Sequence, residues 1–353
     1  MNNQSIRITA ATMAELSAIV DLITAQESRQ LAQGFRRHKI RSRAQLEMDI
    51  TSALTSTLLP LVALDEQDRV RGYAEPAIWG LRQDSILLSF LTARNGIVQN
   101  LTLPDPLDAD SAAVLRTLLI ALDAFWRSAD TTGELIRWPA GDSWLEPLLG
   151  EQSFQLDSVC ALRPLLPFFP SRPTPSPSLH VRPARPDDEE ALVQLFEDEL
   201  LFHKPYVPFV HSSPQVLQAF RSKLRQIWTG VELAAGAPLV LVVERDHKVV
   251  AMAEMTLLSV EPTDEPGFTP PGQYCCIDNV SVREDLQGQG IGRLLVQAIE
   301  DVFPAFQSQL DGYVLWFNPA NPSASSFWSR LGFQPLWTTY QRLHASKETV
   351  TSS

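Results

Sequence analysis

Two carboxylates and a glycine-rich loop are the residues of this chain best suited to chemistry. Asp278 stands in an apolar run, Cys276-Ile277-Asp278-Asn279-Val280-Ser281-Val282, that reads as a strand. Just beyond comes Gln287-Gly288-Gln289-Gly290-Ile291-Gly292-Arg293. Glycines let a backbone curl through positive φ, so several N–H groups can point at one spot, and a helix starting there adds the positive end of its dipole. Such a loop seats a phosphate or pyrophosphate, and Arg293 could meet it or stay a solvated helix arginine. A carboxylate beside the seat can take a proton or attract an ammonium. Asp278 has the strand parity of Val280 and Val282, which predicts one sheet face for all three; the plainer reading is a strand-end acid bonded to solvent or arginine. Glu254, on the preceding run Val249 to Leu258, is the second carboxylate of note.

Two familiar phosphate loops are excluded. A P-loop ends in Gly-Lys-Ser/Thr, whereas Gly292 is followed by Arg293. A dinucleotide loop needs G-x-G-x-x-G, and Gly288, Gly290 and Gly292 give G-x-G-x-G. The loop opens an amphipathic helix: Leu294, Leu295, Ala298, Ile299 and Val302 recur at helical spacing and Pro304 closes the run. Further on, Asn321 and Pro322 suit the start of a second helix, with Ala324, Phe327, Trp328 and Leu331 on one face and Gly332 as its stop. A last strand follows around Leu336 to Leu343.

Together the two stretches resemble the GNAT superfamily of acyl-CoA-dependent N-acetyltransferases. Gln287, Gly290 and Gly292 match its pyrophosphate loop; Asn321, Ala324, Trp328 and Gly332-Phe333 match its later element. The likeness spans residues 178 to 344. It implies an α/β (α+β) fold, with a mixed, mostly antiparallel central sheet flanked by helices, and acetyl-CoA as cosubstrate. The coenzyme would be held by Val280, Ser281 and Val282 on a strand splayed from its neighbour, by Gln287, Gly288, Gln289, Gly290, Ile291, Gly292 and Arg293 of the loop, and by Asn321 and Phe327. The N–H of Val280 or a close neighbour would polarise the thioester carbonyl. Asp278 or Glu254 would serve as base. One departure stands out: many members carry a tyrosine near the sulfur where this chain has Trp328, and indole cannot donate a proton as a phenol can. Tyr274, Tyr313 and Tyr340 are the substitutes on offer. The acceptor site would come from the region after the first helix of the domain, with His203, Tyr206 and His211.

The rest of the chain sets bounds. A length of 353 residues suits two domains. No run is long and apolar enough for a membrane span, and the N-terminus lacks the regions of a signal peptide. Three cysteines form neither a disulfide framework nor a metal-ligand spacing, so no metal is expected and a reducing, cytoplasmic home fits. A net charge of −12 speaks against nucleic acid and is compatible with an amine acceptor, most simply a small molecule. A homodimer is left open. A proline-rich connector, residues 163–177, separates segments that look alike. Val70 and Val249, Gly133 and Gly312, and Phe154 and Phe333 begin or lie in matching stretches, each pair 179 residues apart. Glu75 and Glu254 share that offset, which argues equally for a common structural role. A constant register predicts two tandem domains, 1–162 and 178–346, with a tail at 347–353. In the first, Asp108, Ser111 and Ala113 replace Gln287, Gly290 and Gly292. Its carboxylates would repel a pyrophosphate, so this copy is expected to be degenerate, with packing, cleft lining or dimerisation as its roles. The expected activity is N-acetyl transfer from acetyl-CoA to an amine; the alternative is a non-catalytic acyl-CoA-binding sensor.

Overall fold

A computed structural model describes residues 5–35, 41–165, 178–207, 209–229, 239–261, 269–302 and 310–344. The connector from 166, the centre of the insertion at 262–268, Pro304 and the tail lie outside these residues. In chain order the elements are β1 (Arg7–Ala10), α1 (Leu16–Ala32), α2 (Arg43–Leu54), β2 (Leu61–Leu64), β3 (Val70–Gly80), β4 (Arg94–Thr102), α3 (Ser111–Ser128), β5 (Gly133–Pro139), α4 (Glu146–Glu151) and β6 (Gln155–Pro164), then β7 (Leu179–Pro183), α5 (Glu189–His203), α6 (Pro214–Thr229), β8 (Leu239–Arg245), β9 (Lys248–Val260), β10 (Gly272–Val282), α7 (Ile291–Val302), β11 (Gly312–Phe317), α8 (Pro322–Arg330) and β12 (Gln334–Leu343). The second series repeats the first element for element.

The twelve strands of the described residues form one sheet, in the order β1-β2-β3-β4-β5-β12-β6-β11-β10-β9-β8-β7. Only the β4–β5 and β10–β11 pairs are parallel. The boundaries expected along the chain do not part the halves in space, because the last strand of each lies in the sheet of the other. β6 pairs with β11 from Val159/Phe317 to Pro164/Gly312, and β12 pairs with β5 from Trp337/Pro139 to Leu343/Gly133. Alternation sets which core each side chain enters: Val159 and Ala161 join the core under α7 and α8, while Tyr340 joins the core under α3.

The exchanged strand β12 is tied down by charge. Glu134 is fully buried and is bonded by both Arg342 and His344; Arg342 also donates to Asp123 Oδ1 at 2.7 Å and to Gln152 O at 2.9 Å. Asp123, Glu134 and His344 are the one group among the described residues whose ligand atoms approach within 4.8 Å of one another. The Arg342 guanidinium already bonds both carboxylates, so the set suits an arginine rather than a metal ion. Arg342→Ala leaves buried Glu134 with His344 alone and is expected to lower stability by about 2–4 kcal/mol, seen as a lower denaturation midpoint in urea.

Candidate active site at the strand fork

β10 and β11 pair from Tyr274/Gly312 to Ile277/Leu315 and no further. Beyond that point β10 keeps only β9, from Asn279/Glu254 to Val282/Ala251. The cause is local: Asp278 has no partner on β9, sitting as an extra residue between Ile277/Met255 and Asn279/Glu254. A bulge bends its strand and sharpens the twist, so β10 swings from β11 and its outer edge, Asn279 to Val282, faces an open wedge.

The bulge also corrects the parity expected for Asp278. Val280 and Val282 pack toward the core under α7. The Asp278 carboxylate goes to the other face, accepting from Thr256 Oγ1 at 3.0 Å and from the Cys276 thiol at 3.1 Å. It is exposed at the fork, yet sits low enough in the protein for desolvation to raise it above the usual aspartate range. The nearby charge of Glu254 raises it further, and Lys223, Cys276 and Thr256 oppose the shift. Glu254 is 1% exposed, ion-paired with Lys223 of α6 and bonded by Asn279 Nδ2 at 2.7 Å. A carboxylate so engaged is a poor base. The first half repeats the pair, with Asn100 Nδ2 donating to Glu75 Oε1 at 3.0 Å, so the shared structural role accounts for Glu254. Ser281 spends its hydroxyl on Leu195 O at 2.9 Å, leaving only its backbone to the fork.

The loop is held in its curl by its own side chains. Gln287 Nε2 donates to Val282 O at 3.2 Å and Gln289 Nε2 to Asp285 O at 3.4 Å. Gly288 and Gly290 have φ of +76° and +82°, and a Cβ on either would meet nothing within 4 Å. Conformation, rather than crowding, therefore calls for glycine here. Gly292 differs: a Cβ there would lie 3.3 Å from Phe327 Cζ, so its bareness seats that ring. Ile291 is buried as α7 begins, with Arg293 half-buried in its first turn. Asn321 caps α8, its Oδ1 accepting from the N–H groups of Ser323 at 3.1 Å and Ala324 at 3.3 Å. Its buried Nδ2 has no hydrogen-bond partner among the described residues. That orphaned donor, the glycine curl and the open edge of β10 form a set that fits a coenzyme with amides and a diphosphate.

Trp328 is a core residue, edge-on to Phe327 at 4.7 Å and to Phe333 at 5.3 Å. Tyr274 donates to Pro270 O at 2.8 Å and burial pushes its phenol up to about 12. Burial raises Tyr313 and Tyr340 as well. Tyr274 and Tyr313 stand on the paired arms of β10 and β11, and Tyr340 in the first half's core, so none lies at the fork.

The region expected to line the acceptor draws on both halves. His203 ends α5, and Tyr206 follows in the connection to α6. Asn318 Nδ2 donates to Tyr206 O at 3.2 Å and to Asp157 O at 2.6 Å, binding that connection to β6 of the first half. His211 is exposed and donates its backbone N–H to Ser89 O at 3.0 Å; Ile86, Leu88 and Phe90 of the first half pack against the α5–α6 cluster. Asp157 is the extra residue of a bulge between Ser158/Thr339 and Leu156/Tyr340. Leu336, 179 residues on, is likewise an extra residue, between Pro335 and Trp337. Asp157 accepts from Ser158 Oγ at 2.8 Å, and desolvation pushes its carboxyl up to about 6 with no cation beside it among the described residues.

Sequence reading missed Asp157, Lys223 and the bond from the Asn279 side chain to Glu254. Asn279 carried a signal, since Asn100 precedes it by the common offset. Asp157 carried none: it reaches the second half only through strand exchange.

The first half shows how a fork closes. β4 and β5 part after Ile97/Leu135, but Gln26 of α1 fills the edge, donating to Leu101 O at 3.0 Å and accepting from Leu103 N–H at 2.8 Å. The loop carboxylates expected to repel a diphosphate are instead clamped by Arg71, bonded to Asp108 at 2.7 Å and to Asp110 at 2.7 and 2.8 Å. That guanidinium holds Asp110 below the usual range.

A family model described as the Acetyltransferase (GNAT) family matches residues 194–333. No protein of curated function matches the chain. A solved GCN5-related N-acetyltransferase from Sphaerobacter thermophilus superposes with a TM-score of 0.51 at 16% identity, covering 96% of this chain and 95% of that one. A tandem GNAT protein from the clavulanic acid biosynthesis pathway, solved without AcCoA, gives 0.46 at 11% identity over 96% and 98%. The stretch that holds the fork, the glycine loop and the Asn321 cap is thus a domain of the acetyltransferase (GNAT) family, within a fold that a GCN5-related N-acetyltransferase shares across nearly the whole chain.

Proposed function

We propose that the second half transfers an acetyl group from acetyl-CoA to the amino group of a small molecule, and that the first half is a non-catalytic copy that completes the acceptor cleft. The observation carrying this reading is the open edge of β10 between a glycine loop and a carboxylate with a raised affinity for its proton. Gly288 to Gly292 and the start of α7 would hold the diphosphate, Asn279 to Val282 the pantetheine arm, and Asn321 Nδ2 a polar atom of the coenzyme. Acetyl-CoA, when bound, supplies an activated acyl group. Backbone N–H groups of β10 around Val280 are preorganised to stabilise charge on the carbonyl oxygen. Asp278 takes a proton from the incoming ammonium, and β9 and Thr256 fix its carboxylate for the task. Free, buried thiols at Cys160, Cys275 and Cys276 are in keeping with a reducing, cytoplasmic setting.

Free thiol released from acetyl-CoA in the presence of an amine panel tests the reading. Tight coenzyme binding with no thiol release on any amine would assign the chain to the sensing alternative.

A half-buried carboxylate without a counter-ion suits a cationic acceptor, and Asp157 supplies one from the first half. Asp157→Asn is expected to raise KM for the amine about tenfold and also to stabilise the free protein. An aspartate whose folded pKa is raised to about 6 favours folding only while protonated. The penalty is absent below the unfolded value near 4, grows between 4 and 6, and is complete above. The variant should therefore gain roughly 1–3 kcal/mol above pH 6 and nothing at pH 3.5, as read by thermal melts across pH.

A further inference from the structure

The first helices of the two halves can be laid over one another. Ile19, Val20 and Ile23 are buried on α1, and Leu192, Val193 and Phe196 on α5, each pair 173 residues apart. The same offset carries Gln26 onto Glu199 and Gln30 onto His203. In the first half these glutamines line a cavity at the fork with Leu101, Thr102 and Trp138, and Gln26 bonds the open edge of β4. α5 lies on β10 in the same way, fixed by Ser281 on Leu195 O. Glu199 is one turn beyond Leu195, and His203 one turn beyond that, so both lie on the face of α5 that meets β10 at Leu195, at the positions matching Gln26 and Gln30. There the neutral stopper of the first half becomes an acid and an imidazole. Glu199 is 14% exposed, its Oε1 stands 3.8 Å from His203 Nε2, and its buried Oε2 has no hydrogen-bond partner among the described residues.

We propose that His203 is the general acid that protonates the departing thiolate, and that Glu199 is the positioning residue that holds its ring. This rests on the transferase reading above and supplies the donor that Trp328 and the three sheet tyrosines do not. In becoming an amide nitrogen the ammonium loses two protons; one goes to Asp278 and the other to solvent. As the N–C bond forms and the C–S bond breaks, the sulfur takes the electron pair and a proton from His203. His203, 21% exposed, regains its proton from water, and one proton is released overall.

Three variants of the full chain test this, with turnover, acetyl-CoA affinity by calorimetry and the His203 ring NMR signal as readouts. His203→Ala should lower kcat about 100-fold, with affinity for acetyl-CoA changed by less than about threefold, and added imidazole should restore part of the rate. Glu199→Gln, the first half's residue, should lower kcat about tenfold, whereas Glu199→Asp keeps most of it. The His203 signal should move when CoA is added to the wild type. Wild-type turnover with unaltered kcat in both His203→Ala and Glu199→Gln overturns the acid role alone. So do a ring signal blind to CoA, or losses that follow only coenzyme affinity or melting temperature. No thiol release by the wild type on any amine removes the transferase reading and the acid role with it.

Discussion

Asp278→Asn is expected to lower turnover about 100-fold while leaving acetyl-CoA affinity within about twofold. The amide keeps the size of the carboxylate and can still accept from Thr256 Oγ1, so bulge and fork should persist. What it loses is the capacity to take a proton. The pH profile carries the sharper signature. Desolvation first, and the Glu254 charge second, raise Asp278 above the ordinary aspartate range. A base must be deprotonated to act, so wild-type turnover should fall as pH drops through that raised range. The residual activity of Asp278→Asn should lack this acid limb. Lys223 reaches Glu254 and opposes the shift, so its removal would move the limb upward. Stopped-flow thiol release between pH 5 and 9 reads all of this. An acid limb surviving unchanged in Asp278→Asn would assign the proton to another group.

Gly290→Val should weaken acetyl-CoA binding at least tenfold, measured by calorimetry. The site has room for the side chain, since a Cβ would meet nothing within 4 Å. The penalty comes from the backbone: a β-branched residue at φ near +82° is a genuine outlier, and holding it there costs about 1–3 kcal/mol. Relaxing the strain turns the loop amides away from the diphosphate, and each 1.4 kcal/mol lost is about tenfold in affinity. The converse change in the first half, Ser111→Gly, should create no second site. Gln26 would still occupy the edge of β4, and Arg71 would still hold Asp108 and Asp110.

Much of this was legible in the chain itself. The strand, the Gln287–Gly292 loop, the helix after it and the Asn321 cap follow from local pattern, and each forms where its residues demand. The repeat was legible because a constant offset survives divergence, and it sets Glu75 against Glu254. Three things were not readable. Parity misplaced Asp278 because a bulge adds one residue, and nothing in Cys276 to Val282 announces it. The exchange of β6 and β12 depends on which neighbour each terminal strand finds, a choice fixed by packing across the whole sheet. Asp157 inherits that blindness, for it meets Asn318 and Tyr206 only because β6 crosses over. The fate of Glu254 turned on Lys223, a residue of α6 that no spacing or motif in the sequence ties to it.

The most direct measurement is isothermal titration of the full chain with acetyl-CoA, alongside Gly290→Val and Ser111→Gly. The predicted result is one coenzyme per chain, lost or much weakened in Gly290→Val and unchanged in Ser111→Gly. Two coenzymes per chain, none, or one that ignores the Gly290 change would contradict a single coenzyme seat at the β10 fork.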